Sequence, residues 1–161
     1  MSRKLVIHMM KDLKAKASEM ASTDYEDASI FCKFEDEYFT EEIANEFLDL
    51  INSIQSVNNS FSIDLRDNAF TDKHIKRLAT SIAKHKNIKE LVLWLPDNRI
   101  TDEGAIELIN LLDNFKTLKI FTINLEWNFG ISNKTLECLC KKMPNMSQLI
   151  AIKVLISKWV K

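Results

Sequence analysis

Two cysteines lie close enough in the sequence to suggest metal chemistry, because Cys138 and Cys140 flank one residue in "CLC". Cysteine thiolates are good zinc ligands. Residues two apart on a helix do not share a face, however, so this pair is not positioned to hold one ion. Cys140 falls on an apolar helical stripe, and Cys32 aligns with Ile63 and Leu93 in predicted strands. We therefore expect Cys32 and Cys140 to be small core side chains, and we predict no metal site.

The histidines and the paired carboxylates are the other groups able to do acid–base chemistry. His8, His74 and His85 lie in unrelated contexts, and the last two fall outside the apolar stripes, which predicts a solvated surface position for both. Pairs such as Glu41-Glu42 stand at predicted helix starts, where a carboxylate stabilises free N–H groups. The sequence contains no phosphate-binding glycine loop and no nucleophile elbow. We predict that the protein is not an enzyme and binds no cofactor or small-molecule substrate.

Apolar residues alternate in short segments that recur along the chain and begin 30 or 31 residues apart. The segments are Ile30, Cys32 and Phe34; Phe61, Ile63 and Leu65; Leu91, Leu93 and Leu95; Phe121, Ile123 and Leu125; and Ile152, Val154 and Ile156. A period of two residues is typical of a strand with one buried face. The pattern predicts about five strands.

Each strand segment but the last is followed by signals for a helix. An asparagine comes three residues after three of the segments, at Asn68, Asn98 and Asn128. Hydroxyl residues typical of helix N-caps follow at Thr40, Thr71, Thr101 and Ser132. The apolar spacing then changes to i, i+3, i+4, i+7, as in Ala105, Leu108, Ile109 and Leu112 and again in Leu136, Leu139, Cys140 and Met143.

A strand and a helix of this kind cannot bury their apolar faces alone, but stacked units share one core. Regular strand–helix–strand succession predicts parallel strands with the helices on one side. The other face of the sheet is expected to be open and concave. Tight turns leave backbone groups that need partners, and a column of asparagine amides is able to supply donors and acceptors across neighbouring units.

The run "LVLWLPDNRITDEG" (91–104), with its matches from Phe61 and Phe121, resembles the leucine-rich-repeat family, of the ribonuclease-inhibitor type with a helix in every repeat. The resemblance covers roughly residues 30–156. It implies an α/β solenoid with a parallel sheet on the concave face and helices on the convex face. The family is a binding scaffold, so the resemblance implies protein binding without naming a partner.

The two ends of the chain are expected to differ. Val6, Met9, Met10 and Leu13 have helical spacing, which predicts an N-terminal capping helix. We accordingly divide the chain into a capping helix and connector (1–28) and a repeat domain (29–161) of four strand–helix units and a final strand. That last strand (152–156) is expected to keep an unpaired edge, which is a site for association.

The net charge, the length of the apolar runs and the cysteine count argue against several classes of partner. Twenty-two basic and 23 acidic residues give a net charge of −1, which provides no basic excess for nucleic acid. No apolar run is long enough for a membrane span. Three cysteines without a secretory signal indicate a reducing compartment. We expect an intracellular protein, first of all cytoplasmic, with a mitochondrial or a ciliary or cytoskeletal assembly as alternatives.

The binding face is predicted from the residues between the core positions of each strand. Trp94 is the expected central contact, since a large aromatic on a solvent face commonly marks an interface. Its expected neighbours are Arg66, Val92, Pro96, Asn124, Glu126 and Leu155, with Lys33 and Glu35 on the first strand. Trp127 and Phe129, in an inserted loop, are predicted to form a second patch. The alternative is that Trp94 only packs along Arg66 and Glu126 within the chain.

The leading functional hypothesis is a non-catalytic interaction scaffold, an accessory or structural subunit of a larger intracellular assembly that binds through the concave face and the exposed last strand. The alternative is a free-standing regulator or inhibitor of a single enzyme or effector protein. An RNA adaptor is disfavoured because the same predicted surface carries three basic and three acidic residues, so the charges cancel: Lys33, Arg66 and Lys153 against Glu35, Asp64 and Glu126.

Overall fold

The computed structural model describes residues 3–32, 34 and 39–156, and these form one parallel sheet with helices between the strands. The described strands are β1 (Lys4–Ile7), β2 (Asp24–Phe31), β3 (Ser56–Asp64), β4 (Glu90–Trp94), β5 (Ile120–Asn124) and β6 (Ala151–Leu155). They lie in the sheet in chain order, and every neighbouring pair is parallel. The expected α/β class with a parallel sheet is confirmed.

The helices form a layer against one face of this sheet. They are α1 (Met10–Ala15), α2 (Ala17–Met20), α3 (Glu41–Ser53), α4 (Asp72–Ile82), α5 (Asp102–Asn110) and α6 (Asn133–Lys142), with short 3-10 turns at Leu111–Asn114 and Met143–Asn145. From α3 to α6 each helix packs beside the next. No helix in the described part of the chain is long and apolar enough to cross a bilayer.

The core lies between the two layers and contains the predicted strand positions. Phe61, Leu91 and Phe121 are paired across β3, β4 and β5, and all three side chains are completely buried. The register repeats two residues later with Ile63, Leu93 and Ile123, which are buried as well. The alternation therefore identified the core residues of these strands correctly.

The predicted register of the first unit is wrong by two residues. Ala28, not Ile30, pairs with Phe61, and Ile30 pairs with Ile63. The backbone N–H of Cys32 accordingly bonds the carbonyl of Asp64, so Cys32 lies beyond the position assigned to it. The connection from β2 to α3 (32–40) is two residues longer than that from β3 to α4 (65–71), which explains the offset. Cys32 is nevertheless buried, as predicted, and burial raises the pKa of its thiol to about 11.

The predicted N-terminal capping helix is wrong at its start, because Lys4–Ile7 is a strand paired with β2. Leu5 and Ile7 alternate into the core while Val6 is exposed, so the local period is two residues rather than 3.6. Two short helices follow, and they bury Leu13 and Met20. The described sheet therefore has six strands instead of about five, and the proposed boundary between residues 28 and 29 falls inside β2.

Three asparagine side chains join neighbouring units at the turns that follow β3, β4 and β5. The Oδ1 atom of Asn98 accepts the backbone N–H of Phe70 at 2.9 Å, and its Nδ2 donates to the carbonyls of Leu65 (2.9 Å) and Leu95 (3.2 Å). Asn128 likewise accepts the N–H of Ile100 and donates to the carbonyls of Leu95 and Leu125. Asn68 accepts the N–H of Phe34 and donates to the carbonyls of Cys32 and Leu65. Each amide thus closes its own turn and bonds the preceding one.

Two aspartates make similar links between helices. Asp72 accepts the backbone N–H of Thr101 (2.8 Å) and of Gly104 (3.0 Å), and a Cβ atom at Gly104 would lie 2.4 Å from its Oδ1. Asp102 accepts in turn from Ser132 and Thr135. Partial burial alone would raise the pKa of Asp102, but these hydrogen bonds hold it below its usual value. Carboxylates at helix starts therefore have a structural role, although Asp72 and Asp102 stabilise the next unit as well as their own helix.

The predicted solvated position of His74 and His85 is wrong, because both side chains are buried. The Nδ1 atom of His74 accepts the backbone N–H of Thr71 at 3.1 Å, and its Nε2 lies 3.0 Å from Glu41. His85 stacks on Phe61 at 5.4 Å between ring centroids, and neither of its ring nitrogens has a hydrogen-bond partner among the described residues. Aromatic contacts stabilise both imidazoles in places where a polarity pattern predicts solvent.

The predicted burial of Cys140 is also wrong, and the reason lies in its place in the stack. Leu136, Cys140 and Met143 occupy the positions that Ala105, Ile109 and Leu112 hold one unit earlier. Those earlier residues are buried, and α6 packs beside α5, whereas no further described helix packs beside α6; the later three are exposed. Cys138 is the partly buried cysteine of this helix.

The asparagine links predict a large effect of removing one amide. Asn98→Ala leaves the N–H of Phe70 and the carbonyl of Leu95 without this partner in a buried turn, so we expect a loss of about 2–4 kcal/mol in the free energy of unfolding. Urea denaturation followed by circular dichroism measures it. Asn110→Ala, at an exposed position of α5, is the control. A loss below about 0.5 kcal/mol would mean that these bonds contribute nothing net.

His85 predicts a loss of stability at mildly acidic pH. Burial, and secondly the nearby Lys84 charge, lower the pKa of His85 from 6.5 to about 4. The unfolded chain therefore binds the proton first, and stability falls as the pH drops from about 6.5 towards 4, by about 3 kcal/mol in total. Urea unfolding between pH 7 and 4.5 measures the slope. His85→Leu is expected to flatten it, whereas His8→Gln, at an exposed position, keeps it; an unchanged slope in His85→Leu would contradict the assignment.

Candidate protein-binding face

The face of the sheet that carries no helices presents a row of side chains near the carboxyl ends of the strands. The pairing register aligns Phe31, Asp64, Trp94, Asn124 and Leu155 across β2 to β6. Neighbouring strands are about 4.8 Å apart, so these side chains are nearest neighbours along the row. Three predicted site residues, Trp94, Asn124 and Leu155, therefore belong to one continuous surface.

Trp94 packs against Arg66, which follows the adjacent strand β3 and forms an ion pair with Asp64 at the end of that strand. The guanidinium carbon of Arg66 lies 5.7 Å from the centre of the Trp94 ring, in cation–π geometry. The Nε atom of Arg66 also lies 3.0 Å from both carboxylate oxygens of Asp64. Trp94 is half-buried and Arg66 exposed. The contact with Arg66 is the packing within the chain that was the alternative to a binding role. It leaves part of the indole accessible.

Asn124 and Glu126 form a second fixed pair beside Trp94. The amide of Asn124 donates to the Glu126 carboxylate at 3.0 Å and accepts the backbone N–H of Glu126 at 2.9 Å. Asn124 is buried, so its polar groups serve this turn first, while Glu126 remains half-exposed. Val92 on β4 and Pro96, two residues after the end of β4, are also half-buried. The resulting surface is an aromatic centre with fixed charges at its rim, which suits recognition of a protein surface.

Trp127 and Phe129 lie in the loop after β5 and are 45% and 76% exposed. Trp127 has a left-handed backbone conformation, with φ of 62°. In the two preceding units Asp67 and Asp97 adopt this conformation at the equivalent position. A bulky residue there is strained, at a cost of roughly 1–3 kcal/mol. The second predicted patch therefore combines large apolar exposure with backbone strain.

The sequence-based prediction missed three apolar residues of the helix-free face. Phe31 is 39% exposed and begins the row that leads to Trp94, and Val6 and Ile120 are exposed on β1 and β5. Phe31 lies between Ile30 and Cys32, so the period-two alternation already predicts it on this face, although it was not among the expected site residues. Lys33 and Glu35, predicted for this face, lie outside the described residues.

Within the described residues, no group of three or more His, Cys, Asp or Glu is placed to hold a metal ion. The cavities between the helices are shallow and polar, such as one of about 180 Å³ beside Lys76, Thr80 and Glu107. The helix-free face remains the best candidate site.

The strain at Trp127 predicts a stabilising substitution. Trp127→Asp restores the residue type of the two preceding units, and we expect the free energy of unfolding to rise by about 1 kcal/mol because aspartate tolerates the left-handed region better. Thermal and urea unfolding measure the change. Phe129→Asp is the control and is expected to change stability by less than about 0.5 kcal/mol, as at other exposed positions. A loss of stability in Trp127→Asp would show that packing of the indole outweighs the strain.

Comparisons with known proteins give a likeness among solved structures. No family model and no curated protein matches this chain. Among solved structures, the chain is similar to the one titled "Leiomodin-1 Actin-Binding Site 2 (ABS2)", with a TM-score of 0.60 and 15% sequence identity over 92% of this chain and 79% of that one. At this identity the likeness concerns the fold, and the chain shares with that structure an α/β arrangement over nearly its whole length.

Proposed function

We propose that this chain is a leucine-rich-repeat solenoid of the ribonuclease-inhibitor type that binds a protein partner through the helix-free face of its sheet and does no catalysis. The repeated strand–helix units and the asparagine links between their turns support the repeat assignment. The observation that carries the binding role is the Trp94 side chain, held by Arg66 in the middle of an open sheet face. Tryptophan and arginine are among the residue types enriched at the energetic centres of protein interfaces.

The proposed role is that of an accessory or structural subunit in an intracellular assembly, cytoplasmic in the first instance. β6 supports this, because in the described chain it pairs with β5 alone and its outer backbone groups are open to a further strand. Actin is the first partner to test, since the leiomodin structure is titled as an actin-binding site. A regulator of a single enzyme or effector is the competing role, and the size of the native complex separates the two.

The test places a photo-crosslinking amino acid at the half-buried position of Ser62, which pairs with Val92 on the Trp94 strand, and identifies the crosslinked protein by mass spectrometry. We expect Trp94→Ala to weaken binding of that purified partner at least about tenfold, equivalent to 1.4 kcal/mol, because a central interface aromatic is removed. Isothermal calorimetry measures the affinity, and circular dichroism verifies the fold. Purified actin is assayed in parallel by cosedimentation.

Leu136→Ala is the matched control, because Leu136 is 40% exposed on α6, in the helix layer and not on the helix-free face. It is expected to leave the affinity unchanged within about twofold. If Trp94→Ala binds every identified partner as tightly as the unmodified protein, the helix-free face is not the binding site and the proposal fails.

A further inference from the structure

The three turns that lead from the helices into β4, β5 and β6 are strongly basic. They lie together at the end of the sheet where the strands begin. Residues 83–90, 113–120 and 141–151 contain seven lysines and two acidic residues, Glu90 and Asp113. The seven, here called the lysine edge, are Lys84, Lys86, Lys89, Lys116, Lys119, Lys141 and Lys142. Six of them are exposed. The near-zero net charge of the whole chain hides this concentration.

The lysines of successive turns lie side by side. The backbone N–H of Lys119 donates to the carbonyl of Lys89 at 2.7 Å, and Ile150 donates to the carbonyl of Lys119 at 2.8 Å. Lys86 and Lys116 likewise occupy equivalent positions, three residues before Lys89 and Lys119. Like charges on adjacent strands repel, so this arrangement costs free energy within the isolated chain.

Little in the described chain neutralises this charge. Lys142 forms an ion pair with Asp113, whereas Lys84 and Lys86 bond neutral oxygens of Asn52 and Asn114. Lysines at helix C-termini compensate the helix dipole, which accounts for those in the last turn of α6. The dipole effect falls off within one turn, and Lys89 and Lys119 directly precede β4 and β5 instead.

An apolar cavity adjoins the lysine edge at its C-terminal end. It has a volume of about 220 Å³ and is lined by Met143, Met146, Leu149, Ile150, Ala151 and Ile152. Ile150 is 79% exposed, and its backbone N–H donates to the backbone carbonyl of Lys119, so the cavity lies next to the chain segment that carries Lys119. Methionine-lined surfaces adapt to varied apolar side chains. The cavity has room for one bulky aliphatic or aromatic residue.

We propose that the lysine edge and this cavity together bind an acidic segment of a partner protein that carries one bulky apolar residue. The acidic side chains contact Lys89, Lys116 and Lys119, and the apolar residue enters the cavity beside Met143 and Ile150. Such a segment relieves the lysine repulsion and covers apolar surface at the same time. This site lies at the opposite edge from the Trp94 row and is independent of the proposed function.

Charge and shape favour a protein segment over the two other polyanions that lysines attract. Single-stranded nucleic acid is bound with stacking aromatics, and the turns of the lysine edge expose none, since Phe115 is buried. A bilayer takes up protruding apolar side chains alongside basic residues, whereas most of the apolar groups here line a cavity. Single-stranded DNA and phosphatidylserine vesicles are therefore included in the test as competing ligands.

The probe is a fluorescein-labelled peptide of alternating Asp and Glu with one central Leu, and binding to the full chain is measured by fluorescence anisotropy at low salt. A second peptide has Gly in place of the Leu. We expect Lys89→Glu with Lys119→Glu to weaken binding of the Leu peptide at least about tenfold, because two attractive charges become repulsive. Lys11→Glu with Lys134→Glu makes the same change in net charge at exposed positions elsewhere and is expected to alter binding less than about threefold.

A second pair of substitutions tests the cavity. Met143→Ser with Ile150→Ser is expected to abolish the preference for the Leu peptide over the Gly peptide and to leave the weaker binding of the Gly peptide unchanged. Both residues are exposed, so the fold, verified by circular dichroism, is retained. Chemical-shift changes in a labelled sample are expected in 84–89, 116–119 and 143–152.

Four results overturn the proposal. They are no binding of the Leu peptide at millimolar concentration, equal binding of the Leu and Gly peptides, equal loss in the two lysine double variants, and tighter binding of phosphatidylserine vesicles or single-stranded DNA that depends on Lys89 and Lys119. The last result would assign the edge to a membrane surface or to nucleic acid.

Discussion

The structure depends on the asparagine amides that bond across neighbouring turns. A parallel sheet with one helix per strand needs a tight turn at every strand end, and each turn leaves backbone groups that water cannot reach. Asn98 satisfies one such N–H and two carbonyls, in two adjacent units at once. The turns are thereby fixed at the spacing of the strands, and the side chains that follow each strand lie in register. The Trp94 row and the lysine edge are both consequences of that register.

Acidic and basic residues are concentrated at opposite ends of the strands. Where the strands end and the helices begin, aspartates and glutamates predominate, and several of them, such as Asp72 and Asp102, hold the next unit in place. Where the helices end and the strands begin, lysines predominate and few have a carboxylate partner among the described residues. Helix dipoles favour acidic residues at helix N-termini and basic residues at helix C-termini, but this effect is confined to the terminal turns. The remaining positive charge is available for recognition.

The strand cores could be predicted from the sequence because period-two alternation reports burial directly. The role of the asparagines followed from the same repeat, since a turn needs partners for its backbone groups. The first unit was misaligned because the connection between β2 and α3 is longer than its counterparts and carries no asparagine signal. Cys140 was placed in the core by its alignment with Ile109, but burial at that position requires a following helix. His85 was misplaced because polarity alone does not register a stacking contact with Phe61. The lysine edge was missed because a total charge says nothing of where the charges lie.

The most direct test of the account is hydrogen exchange at the backbone amides of Phe70 and Ile100, which donate to the side chains of Asn98 and Asn128. If the amide links hold the stacked turns together, these two N–H groups exchange only through global unfolding, with a free energy of exchange equal to that of urea denaturation. Exchange at the fast rates typical of surface loops would show that the turns open independently of one another, and it would contradict the dependence of both surfaces on the asparagine links.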